Sequence, residues 1–284
     1  MTWARVAIAA AALAAGCGAA TETSGSFDDV QALLDAGGDV DWYVSSRIVF
    51  PEALAVSAQA LRVFGSGGAA LDGADAAQLF AVDGGHLAVS GAALERARAA
   101  SGAAAALGGN STATFADCVF RDVAADGWGG AVFADGGAVV VANCSFARCA
   151  ATLGGAVALA GGATAAISGS RFFNNSAAST GGALATSLAG RVALESTVFE
   201  SNAAMLGGAV SLDRTPIDTV AVNCAFADNF AYYGGAVAVA VSGTFAAAAS
   251  TFDGNSLCGN QPLVWVVLTK LENSLARSNR SRFG

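Results

Sequence analysis

The chain has 284 residues with a formal net charge of −8, and 106 of its positions are Ala or Gly. Charged residues make up 13%, about half the usual share, while hydrophobic residues reach 54%. That balance excludes a disordered polyelectrolyte. With one Lys (Lys270) and no basic patch, it also excludes a nucleic-acid binder that must contact phosphates.

In chain order, residues 1–20 read as a signal peptide: Arg5 gives the positive start, Val6 to Ala15 the apolar stretch, and small residues follow. Ten apolar residues are too few to span a bilayer, so no transmembrane helix is expected in the mature chain. Leu13 to Cys17 resembles a lipoprotein box, which would make Cys17 a lipid anchor. Its large apolar residue sits one place too early, so secretion or cell-surface exposure without that anchor is the reading taken. In a eukaryotic host the exported context gives meaning to the sequons at Asn110, Asn143, Asn174 and Asn279; glycosylation within regular strands is disfavoured, which leaves Asn110, in a Gly-rich loop, as the best of them.

Residues 21–262 are expected to form one domain. A short helix within 26–38, N-capped by Ser26 and stopped at Gly37-Gly38, would cap it. Asp41 to Phe50, Leu61 to Phe64 and Gln78 to Val82 read as irregular coils, with His86 at a turn. Regular coils run over 94–255. Within them Gly-Gly-Ala-Val/Leu recurs at Gly129, Gly154, Gly181, Gly207 and Gly234, about 26 residues apart. A phenylalanine column keeps the same phase: Phe120, Phe146, Phe172, Phe199, Phe226 and Phe252. An asparagine follows three residues after the last four, at Asn175, Asn202, Asn229 and Asn255. Alternating Val, Ile, Phe and Thr between Gly pairs is a strand pattern, and a fixed period stacks like residues on like. The expected fold is all-β, a parallel solenoid with two or three strands per coil, which the family resemblance of these repeats makes a right-handed parallel β-helix. Its Phe and Asn ladders would be structural, and Asn would supply the left-handed corner. Residues 263–284 read as a last strand, Leu263 to Leu268, and a fraying tail from Ser274.

Gly-Gly-Ala-[Ile/Leu/Val] alternating with Phe-x-x-Asn resembles the repeats of chlamydial polymorphic outer-membrane proteins, and of many parallel β-helix proteins of the pectin-lyase-like superfamily. The resemblance implies a β-helix over roughly 94–255 and a surface or extracellular role. The long C-terminal barrel of the chlamydial proteins has no counterpart here.

Cys118, Cys144 and Cys224 each precede a ladder Phe by two residues and should point inward. Cys118 and Cys144 on adjacent coils could form a disulfide or remain free thiols. No CxxC pair exists, and neither metal nor cofactor is expected. The superfamily's catalysis needs clustered carboxylates with Arg or Lys. The column Asp122, Arg148, Asn174, Ser201, Asp228 lacks such a cluster; the densest charged group is Asp213, Arg214 and Asp218. No catalytic residue is therefore assigned. Trp128, Tyr232 and Tyr233, just before Gly-Gly, could stack on sugar rings or simply pack the corner. The reading is an exported, non-catalytic structural, adhesive or glycan-binding protein, with a cell-surface glycan or protein as partner. The alternative is a polysaccharide lyase or glycoside hydrolase on the same fold.

Overall fold

A computed structural model describes residues 20–215, 219–241 and 243–258, together with the backbone of 268–272 and 275–276. The leader with Cys17, Asp218, Asn279 and Leu263 to Val267 lie outside the described residues.

Among the described residues one helix, Phe27–Asp35, lies between a short strand, Thr21–Thr23, and the stacked coils. Ser26 accepts from the Asp29 amide while the Asp29 carboxylate accepts from the Ser26 amide, a reciprocal capping box. The helix buries Phe27, Val30 and Leu34, and the Phe27 ring meets Phe50 edge-on at 5.3 Å, so one open end of the core is covered.

Among the described residues, the six coils from His86 to Ala240 have four strands each, and the two before them, from Val40 to Asp83, have three. The coil at 138–160 is representative, with Ala138–Ala142, Ser145–Ala147, Ala150–Leu153 and Val157–Ala160. Stacked in parallel register, they build a first face of eleven strands, a second of ten, a third of seven and a fourth of eight. For the regular coils, two or three strands per coil is thus corrected to four. The reason lies at the corners, where single residues in the left-handed region split what reads in sequence as one run. Asp117, Asn143, Gly169 and Ser196 turn the first face into the second, and Asp122, Arg148, Asn174 and Ser201 turn the second into the third. The left-handed residue is therefore the one before each ladder Asn, not the Asn itself.

The ladders also begin earlier than the regular repeat. Val40–Val44 pairs with Ala60–Gly65 and that strand with His86–Ser90, so the coils expected to be irregular are stacked in parallel register. These coils look irregular because they are shorter and use Ile48 and Leu71 where later coils use Phe; Leu94, 26 residues before Phe120, already keeps the regular phase. His86 opens a strand rather than lying at a turn. At the other end, Leu268–Glu272 pairs with Phe245–Ala248 and Leu275–Ala276 with Thr251–Asp253, so ordered pairing continues past Ser274.

The core is the inside of the coil. Phe120, Phe146, Phe172, Phe199, Phe226 and Phe252 stack with ring centroids 4.3 to 5.0 Å apart and planes within 10°. Phe115 and Phe245 pack edge-on against the column at Phe120 and Phe226. Small residues fill the rest because facing sheets leave little room. A Cβ placed on Gly155 would lie 2.2 Å from the Gly182 carbonyl oxygen, so the second glycine of each pair is required by close approach.

Candidate functional site

Two inward columns are satisfied within the fold. The Asn202 side-chain oxygen accepts from the Asn175 backbone N–H at 3.1 Å and from its amide at 2.9 Å, while the Asn202 amide donates to the Phe172 carbonyl at 3.0 Å. Asn229 and Asn255 repeat the pattern, and Asn175 carries it to the Cys149 N–H at 2.9 Å. In the second column the side chains of Cys144, Ser170, Thr197, Cys224 and Ser250 each bond to the carbonyl two residues earlier. Cys118 does the same, and its N–H donates to the Cys144 sulfur at 3.4 Å. Both cysteines are buried free thiols in this arrangement. Contact with Cys118, with burial adding to it, pushes the Cys144 thiol up; burial, helped by the Asp122 carboxylate for Cys149 and the Glu195 carboxylate for Cys224, pushes up the other two. Neutral thiols in this column do the hydrogen bonding that Ser and Thr do on neighbouring coils.

The second face holds a charged cluster absent from the sequence reading, which held that carboxylates do not gather on adjacent coils. Asp72 and Glu95 occupy the position after the core residue on neighbouring coils, and the register places Arg121 next. The Asp72 side chain is completely buried and Glu95 nearly so, yet three half-exposed guanidiniums reach them. Arg47 pairs with Asp72 and, at 2.5 Å, with Glu95; Arg96 pairs with Asp72 and Arg121 with Glu95. Desolvation is the largest influence on Asp72 and pushes it up. The hydrogen bonds from Arg96, the Ala74 N–H and Arg47 together outweigh it and hold the carboxyl below the usual range. On the adjoining corner Arg148 grips Asp122 through two 2.7 Å bonds, which lower Asp122 as well. The signal lay in extending the Phe column back through Leu94 and Leu71, whose next residues are Glu95 and Asp72. Of the charged group expected at the later loop, Asp218 lies outside the described residues, and Arg214 and Asp213 stand 3.3 Å apart.

Two outer surfaces are left open. On the first face a shallow cavity of about 160 Å³ has Ala88 and Ala116 at its floor and Arg62, Phe64, His86, Ser90 and Thr114 around it. Tyr43 stacks on Phe64 at 5.1 Å, Asp41 neutralises Arg62 at 2.5 Å, and His86 Nδ1 lies 2.5 Å from the Thr112 hydroxyl. On the third face Tyr232 is 53% exposed, Tyr233 45%, Phe230 41% and Met205 46%. Phe230 and Tyr232 are two apart in one strand and share its outer side. Trp128 does not join them. The pairings Trp128–Leu153, Leu153–Thr180, Thr180–Leu206 and Leu206–Tyr233 put it four coils away, about 19 Å along the axis. It packs instead on Phe133 at 5.8 Å.

Among the described residues no group of three or more His, Cys, Asp or Glu could hold a metal ion, and no helix is long and apolar enough to cross a membrane. A family model for the right-handed beta helix region matches residues 100–279. No curated protein and no solved structure matches the chain.

Proposed function

The chain belongs to the right-handed β-helix family, and from that premise we propose that it is an exported, non-catalytic surface protein that binds glycans. The observation that carries this reading is the solvent-facing group Phe230, Tyr232, Tyr233 and Met205 on a rigid sheet. A contiguous apolar patch held in water favours a binding surface, and tyrosines offer both a flat face for a sugar ring and a hydroxyl for its rim.

Binding of the intact chain to an immobilised glycan panel tests the proposal. The Tyr232→Ala/Tyr233→Ala double variant should lose at least about tenfold in affinity, the equivalent of about 1.4 kcal/mol. Trp128→Ala should change affinity less than about twofold. Absence of glycan binding, or binding indifferent to the tyrosine pair, overturns it.

The alternative, polysaccharide cleavage, draws on one observation: two carboxylates and three arginines converge at Asp72 and Glu95. Acid–base cleavage needs one carboxyl that stays protonated near neutral pH, whereas Asp72 is held ionised by its partners. Release of unsaturated or reducing ends from uronate polymers, abolished by Asp72→Asn, would establish that alternative instead.

A further inference from the structure

Three of the four sequons fall within the described residues, and the fold separates their asparagines sharply from those of the ladder. Asn110 is exposed in the turn between the fourth and first faces, and Asn143 and Asn174 are exposed one-residue corners with φ of 54° and 53°. None of the three lies inside a strand, although sequence alone favours Asn110 by placing the others in strand-rich stretches. The ladder residues Asn175, Asn202 and Asn229 are buried and fully bonded, with Asn255 half-buried at the column's end. None of these four has Ser or Thr two places later.

We propose that Asn110, Asn143 and Asn174 are N-glycosylation sites, an inference that rests on the exported reading above. In the reaction the side-chain nitrogen attacks the reducing-end C1 of a lipid-diphosphate-linked oligosaccharide. A C–N bond forms, the C–O bond to diphosphate breaks, the nitrogen gives up one proton, and the lipid diphosphate departs. The folded chain accommodates the product. The Asn143 amide makes one 3.4 Å contact, to Asp117, and keeps one N–H after substitution. Asn143 and Asn174 stand at opposite edges of the second face on successive coils. Their glycans would fence that face and leave the first-face cavity and the aromatic group near Tyr232 open.

The test expresses the full chain behind an added, cleavable secretory leader in a eukaryotic host, and in parallel behind its own N-terminus. Peptide-N-glycosidase treatment in heavy-oxygen water, followed by peptide mass spectrometry, should mark Asn110, Asn143 and Asn174 as converted to labelled Asp. Thr112→Ala, Ser145→Ala and Ser176→Ala should each erase one mark and leave the others, with far-ultraviolet circular dichroism unchanged. Unmarked asparagines in the secreted product of the added leader overturn the proposal. Marked sites with the added leader but retention of the native-leader version leave the sites standing and overturn the exported reading.

Discussion

At the level of single residues, identity follows from which backbone groups need a partner inside the coil. Asn202 satisfies four groups at once: two donors on Asn175, the Phe172 carbonyl and the Asn229 acceptor. Asn202→Ala leaves buried N–H and C=O groups without partners, a cost of about 1–3 kcal/mol for each group affected. Its urea midpoint should fall well below that of Asn255→Ala, because Asn255 ends the column and is half-exposed. Equal midpoints would mean the ladder contributes packing rather than hydrogen bonding. The cysteine column obeys the same logic. A thiol or hydroxyl pointing at the carbonyl two residues back serves equally, which is why Cys, Ser and Thr interchange there. The repeat made the Asn and Phe columns legible, since stacking in register shows as a fixed spacing. The left-handed residue before each Asn was not legible. Asp122, Arg148, Asn174, Ser201 and Asp228 share no side-chain type, only a backbone conformation that the corner imposes.

At the level of strands and faces, the second face carries the strongest electrostatic feature. Because the Asp72 carboxyl sits below its ordinary value in the folded chain, its ion pairs stabilise the fold above the unfolded value of about 3.9. That contribution is lost as pH falls through the lower folded value. Stability should accordingly be flat at neutral pH and fall below about pH 4. Asp72→Asn should be less stable at pH 7, since it leaves Arg47 and Arg96 facing a buried neutral group, and should lose less on acidification. Chemical denaturation from pH 7 to 3 measures both, and parallel curves for variant and parent would contradict the assignment. This cluster was hidden in the sequence because Arg47, Asp72, Glu95 and Arg121 span 75 positions. Only the shorter early coils, with Leu71 and Leu94 in the Phe column, align them. The aromatic residues at 232 and 233 could be seen before Gly-Gly; that they face solvent while Trp128 packs on Phe133 depends on the neighbouring coils.

At the level of the whole molecule, each coil touches mainly the coils on either side, so protection should decay from the middle outward. Amide hydrogen exchange should be slowest near Asn175 and Asn202, where both neighbours are complete. It should be fastest in Thr21–Thr23 and Ser256–Leu257, the edge strands of the first and third faces. Uniform protection from end to end would show instead that the solenoid opens as one cooperative block.

The sequence by itself determined the parallel stacking, its period and the inward Phe and Asn columns, because a solenoid writes its contacts as a repeat. It also determined that the glycine pairs are corners, despite an alanine content that favours helix. The tertiary structure alone decided the number of faces, the register of the early coils and the partnership of Asp72 and Glu95 with three arginines. It likewise decided which asparagines and aromatics meet water. Those features depend on the sum of several loop lengths and on backbone conformations that many residue types can adopt.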